Sequence, residues 1–377
     1  MLALAGLVVM AVLGAGVVCW SLVLLRLIAN AKWAPVPLAN VARCALDQAQ
    51  LSAGSPLIPW AERRPVPWAL IDMGAIIALY LVIGLATGMV LRQSGWLPKD
   101  MDRENLALDQ RQLLVATQVA ISLLLIAVAL PLMILRSGAK ASDLGWSWRE
   151  LRRDVRLGVI AFAMLAPPVY AIQALVVQFW PSKHPLMEMF RGTPEPQFFA
   201  LLVLAAVIVA PIFEELVFRV LLQGFLENVF SFQLSAQALI FGAKPQSIRG
   251  SEKPAPLSEG IEPLAPYAPH ANPYAPPHAL DEVGADGLPA EGIEGEVNNG
   301  RIGPLRGIFA ILPMAISALI FALLHEWPDQ IPLVFLAVGL GFLYQRTHRI
   351  VPSLVVHALL NGLSMWGLWI QVFETPT

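Results

Sequence analysis

Three sets of side chains in this chain have the types and spacing for acid–base chemistry: Glu214 and Glu215 with Arg219, Phe321 with His325, and His357 with Asn361. Carboxylates and imidazoles take and give protons, and an amide N–H donates to a developing negative charge. Within each set the partners stand four residues apart in otherwise apolar sequence. Positions i and i+4 share one helix face, about 6 Å apart along the axis, so each segment aims its polar groups in one direction. An ionisable side chain at membrane depth costs at least ~2.5–3.5 kcal/mol. Three segments can share that cost by facing one another across a common interior, which is then a candidate active site inside a bilayer.

The first set lies in AAVIVAPIFEELVFRVLLQGFL, residues 205–226. Pro211, just before the carboxylates, removes a backbone donor and should kink or open the helix. Freed backbone beside two acids suggests a water-filled pocket. Glu215 precedes Arg219 in the favourable order for an ion pair. Glu214 is rotated about 100° away and can face elsewhere. Alone, this set reads equally as a structural ion pair at a helix end.

His325 closes the apolar run ISALIFALLHEW and by itself reads as a histidine at the membrane surface. The string His-Glu-Trp-Pro-Asp begins like the H-E-x-x-H metalloprotease motif. That motif is absent, because position 329 is Asp and Pro328 interrupts the helix. His357 and Asn361 lie near the middle of IVPSLVVHALLNGLSMWGLWIQVF, with no charged residue between them and Glu374. A histidine at that depth marks function more often than a helix–helix hydrogen bond. His348, in an Arg-Thr-His-Arg turn, and His184, in a polar loop, read as surface residues.

The elements that must position these groups follow from composition. The 377 residues are 57% hydrophobic and 14% charged, with a mean hydropathy of +0.64; a soluble domain carries about 25% charge. The expected fold is all-α, a polytopic transmembrane helical bundle. Apolar runs of spanning length fall at roughly 2–29, 67–91, 112–135, 156–180, 197–226, 307–326, 331–346 and 350–373, about eight helices. No period-2 alternation supports a barrel. The first run is longer than the ~7–15-residue core of a signal peptide and no Lys or Arg precedes it, so it reads as a retained span.

Arg136, Lys140, Arg149, Arg152, Arg153 and Arg156 share one side with Lys32, Arg43, Arg63 and Arg64 and with the turn flanked by Arg346 and Arg349. That side is assigned to the cytoplasm, and eight spans then leave both termini outside. The net charge of −2 gives no basic footprint for nucleic acid. Cys19 and Cys44 form neither a disulfide framework nor a zinc–thiolate set.

Residues 244–306 differ in kind. Ten prolines lie between Pro245 and Pro289 and nine acidic residues are spread across the segment. Such a stretch buries too little apolar surface to offset its ordering entropy, so a disordered insertion is expected, with His270 and His278 as solvated linker residues. Before it, the apolar stretch 231–242 is expected to form a short interfacial helix.

The order EExxxR, FxxxH, HxxxN, each in a hydrophobic helix, resembles the CPBP family of intramembrane proteases, which includes the type II CAAX prenyl proteases and bacteriocin-processing or self-immunity proteins. The stretch LAVGLGFLYQRTHRIVPSLVVHALLNG is similar to that family's run into its last motif. The resemblance covers about 197–373, interrupted by an insertion that is long for the family, while 1–196 match only as generic transmembrane helices. Val220 stands where the family usually has Gly.

The resemblance implies an intramembrane endopeptidase acting on a membrane-associated peptide or protein, prenylated or bacteriocin-like. Glu214 would be the general base and His325 would hold the same water. Glu215 would secure Arg219, Phe321 would support the site, and His357 and Asn361 would donate to the oxyanion; removing one such donor costs ~2.7–4 kcal/mol. That scheme needs no cofactor. The alternative is zinc held by Glu214, His325 and His357, with an open position for water. The expected setting is a bacterial cytoplasmic membrane, crossed several times, with lipid and a peptide as partners and no nucleic acid. Two other classes compete: a proton-relay transporter, for which no internal repeat is found, and a noncatalytic immunity protein, against which every catalytic-type position is filled.

Overall fold

The computed structural model describes residues 2–30, 36–48, 58, 61, 65–98, 106–181, 190, 194–230, 236–242 and 311–373. The expected insertion, 244–306, lies outside the described residues, as do His184, His270 and His278. The chain divides into two units, Met1–Ala243 with Gly300–Thr377, and Lys244–Asn299. Everything below concerns the first.

The described residues form helices and no strand. In order they are α1 (Leu2–Asn30), α2 (Val36–Gln48), α3 (Leu70–Gln93), α4 (Leu108–Ser137), α5 (Leu151–Phe179), α6 (Pro196–Phe230), α7 (Ala236–Phe241), α8 (Leu312–Leu323), α9 (Gln330–Thr347) and α10 (Ile350–Phe373). Six of them, α1, α3, α4, α5, α6 and α10, are long and apolar enough to cross a membrane. The expected eight thus resolve into these six and two shorter helices. The 12 residues of α8 rise only about 18 Å, and α9 ends in Tyr-Gln-Arg-Thr rather than in apolar sequence.

The first loop contains an element that hydropathy does not reveal. α2 buries Ala39 and packs Ala42 and Leu46 against Leu22, Leu25, Ile28 and Ala29 of α1. From it Arg43 donates to the Ala29 carbonyl at 3.0 Å, one of the carbonyls left without a partner at the end of α1. Further on, Asp72 accepts from the Ala69 N–H at 2.8 Å and caps α3. It also pairs with Arg136 of α4, which in turn donates to the Phe241 carbonyl of α7 at 3.1 Å.

α5 lies at the centre, packed on α1, α9 and α10. Its Pro168 has no N–H for the Met164 carbonyl four residues earlier, and Trp20 Nε1 of α1 donates there instead at 3.0 Å. Gly158 lets α10 approach closely: a Cβ at that position would lie 2.6 Å from Val355 Cβ and 2.9 Å from the Pro352 carbonyl. Ala161, Phe162, Ala166 and Val169 of α5 interlock with Leu336, Leu340 and Leu343 of α9 and with Val356 and Leu360 of α10. That core holds α10 in place, and α10 carries two of the six polar groups singled out above, His357 and Asn361.

Candidate active site

α6 is not a regular α-helix. Leu204–Val209 and Glu215–Gln223 wind with π-helical turns on either side of Ala210–Glu214. Such wide turns are rare and cost packing, and they concentrate at functional sites. Here neighbouring side chains satisfy the carbonyls they loosen. In i→i+5 register the donor to the Ala206 carbonyl would be residue 211, and Pro211 has no N–H. Asn361 Nδ2 donates to that carbonyl at 2.8 Å. Ser317 Oγ of α8 donates to the Phe218 carbonyl at 2.7 Å. Trp68 Nε1 donates to the Leu221 carbonyl at 3.1 Å. The turn that aims Glu214 and Glu215 is therefore fixed from three directions.

The two adjacent carboxylates part company. Glu215 is fully buried, and its Oε1 accepts a 3.0 Å hydrogen bond from His357 Nδ1. Its Oε2 lies 3.2 Å from Arg219 Nε, also fully buried. Ser353, one turn before His357 on α10, lies near the same carboxylate and donates its hydroxyl to the Ile350 carbonyl at 2.9 Å. Glu214 keeps 24% of its side chain exposed and sits 3.6 Å from His357 Nε2. His357 thus lies between the two acids.

Phe321 forms the floor. Its ring, with no exposed surface, stands 4.7 Å from the His325 ring and 5.9 Å from the His357 ring. It packs edge-on to Phe218 at 5.2 Å, and the Arg219 guanidinium carbon sits 5.0 Å over it. His325 is held at both ends: Nδ1 meets the Phe321 carbonyl at 2.8 Å, and its own carbonyl accepts from Gln330 Nε2 at 2.7 Å. A carbonyl only accepts, so Nδ1 bears the proton and Nε2 presents a lone pair.

Of the seven residues singled out from sequence, six form one connected group: Glu214, Glu215, Arg219, His357, Phe321 and His325. Asn361 lies one turn further along α10 and directs its Nδ2 to α6 backbone, with one amide N–H to spare. Sequence reasoning missed Ser317, Ser353 and Trp68. Only Ser353 left a signal, since it continues the i, i+4 stripe of His357 and Asn361 by one turn.

Residues 196–244 and 299–363 match the family model "Type II CAAX prenyl endopeptidase Rce1-like". The two matched segments together make up less than half of the chain. The matched segments hold all seven residues, and the helices before α6 fall outside them. No curated protein matches the chain, and no solved structure does.

The arrangement also bears on the zinc alternative. Among the described residues no group of three or more His, Cys, Asp or Glu stands where it could hold a metal ion together. Both ring nitrogens of His357 face carboxylates. As placed, Glu214, His325 and His357 do not fit a zinc centre, and no step below passes through one.

Proposed function

We propose that this Rce1-like domain is an intramembrane endopeptidase that hydrolyses peptide bonds with water activated by Glu214. The observation that supports it is the division between the two carboxylates. Glu215 is spent on Arg219 and His357 in a dry interior, while Glu214 keeps exposed surface beside the His357 ring.

Glu214 takes the proton from a water that His325 Nε2 also holds by its lone pair. The hydroxide adds to the scissile carbonyl carbon. The negative charge that develops on the carbonyl oxygen accepts from His357 Nε2–H and from the second N–H of Asn361. Glu214 then hands its proton to the departing amine as the C–N bond breaks. With Nδ1–H committed to Glu215, His357 must carry a proton on both nitrogens to donate. Glu214, Glu215, Arg219 and His357 then sum to zero charge, the balance a low-dielectric interior favours. In this scheme Glu215 and Arg219 position His357.

The substrate class is a peptide held at the membrane by a lipid anchor or its own apolar segment, prenylated or bacteriocin-like. The test is cleavage of a prenylated reporter peptide by the purified chain in vesicles, with proton flux followed alongside. Glu214→Gln should slow cleavage by at least ~10²-fold and change no flux. Unslowed cleavage, or flux that depends on Glu214, would refute the assignment.

A further inference from the structure

We propose that the start of α5 is a docking surface for the anionic phospholipids of one bilayer leaflet. α5 has 29 residues and rises about 43 Å, whereas a hydrocarbon core is about 30 Å thick. The helix exceeds that core by about nine residues, enough for its polar end to reach a headgroup layer. The far end of α5 is Val-Val-Gln-Phe and the near end is Leu-Arg-Arg-Asp-Val-Arg, so the projecting turns are the charged ones.

Arg152, Arg153 and Arg156 share one face of the first turns of α5, Arg149 stands in the turn just before it, and all four are exposed. One and two turns further on, the same face exposes Val159 and Ile160. The arginine stripe therefore continues the face that meets acyl chains, at the level where phosphates lie. Trp148, 75% exposed, stands at its head; tryptophan favours that layer because its ring is apolar and its N–H polar.

The nearby acids do not cancel the stripe. Asp154 is buried and its Oδ1 forms an ion pair with Arg349 Nε at 2.8 Å. Glu150 takes Arg349 at 3.2 Å and reaches Arg153 at 3.5 Å. Arg149, Arg152 and Arg156 make no ion pair among the described residues. A phosphodiester is the complementary partner, because it sets one negative charge at the level of each exposed cation. The surface is built whether or not the site on α6 is proteolytic.

The test uses the full chain in vesicles of phosphatidylcholine with and without phosphatidylglycerol, and counts retained lipids by native mass spectrometry. The unmutated chain should retain phosphatidylglycerol over phosphatidylcholine and lose the preference as salt is raised. Changing all four arginines to Gln should lower the preference by roughly fivefold per arginine, while changing all four to Lys should keep it. Equal retention of the two lipids, a preference that survives high salt, a Gln variant that keeps it or a Lys variant that loses it would each overturn the proposal. So would Arg92→Gln, a charge change at the other end of the bundle, if it cost as much.

Discussion

α3 and α6 are both apolar helices of spanning length, yet they are built for different neighbours. None of the most apolar stretch of α3 is buried, against 28% of that of α6 and 39% of that of α10. α3 shows lipid a face of Ile77, Leu81, Val82, Leu85 and Met89 and hides one acid, Asp72, at its end. α6 hides Glu215, Arg219, Gln223, Glu227 and Asn228 within its last four turns. Hydropathy ranks the two alike, because it averages over a helix and does not ask where its few polar groups point. What separates them is that the polar groups of α6 meet others from α8 and α10.

The sharpest way to break that contrast is to remove the exposed acid. Glu214→Gln should lower kcat by ~10²–10⁴-fold, the usual contribution of a general base, with thermal unfolding in detergent unchanged. Next comes the buried pair. Arg219→Met leaves Glu215 charged in a dry site and should cost ~3–5 kcal/mol of stability, much of it regained when Glu215→Gln is added. A double-mutant cycle on unfolding midpoints measures this, and additive effects would separate the two residues.

A smaller effect tests the π-helical turns. Ser317→Ala orphans the Phe218 carbonyl and should cost about 1–3 kcal/mol. It should lower kcat more than it raises KM, because the turn it supports aims Glu214. Ser317→Thr, which keeps the hydroxyl, should restore kcat, and failure to restore it would reduce Ser317 to packing. On the other side of the comparison, Leu85→Ala on the lipid face of α3 should stay within about 0.5 kcal/mol and leave cleavage rates untouched. A large loss there would mean that α3 faces a partner rather than lipid.

Much of this was legible in the chain. Helix positions came from apolar runs, and the polar sets came from their i, i+4 spacing, because both signals are local. Pro211 marked the opened backbone of α6, but not its consequence. The carbonyl that Pro211 leaves unserved is met by Asn361, 155 residues away, and no spacing rule reaches that far. Ser317 and Trp68 were hidden for the same reason: each serves a carbonyl 99 and 153 residues away, respectively. The π-helical turns have no sequence period of their own. α2 escaped notice because its buried face is small, Ala39, Ala42 and Leu46, and its remaining residues look like a polar loop. The general-base and oxyanion roles came with the family resemblance, and what the coordinates add is the separation of Glu214 from Glu215.

The pairing of Glu215 with Arg219 on a single helix has a consequence for biogenesis. His357 is 142 residues beyond Glu215, so it does not yet exist when α6 leaves the ribosome. Two lone charges would each oppose entry into the bilayer by ~2.5–3.5 kcal/mol. A helix that carries both members of the pair enters with their charges already cancelled. A chain truncated after Phe230 should therefore still integrate, and the same truncation with Glu215→Gln, which strands the arginine, should integrate less well.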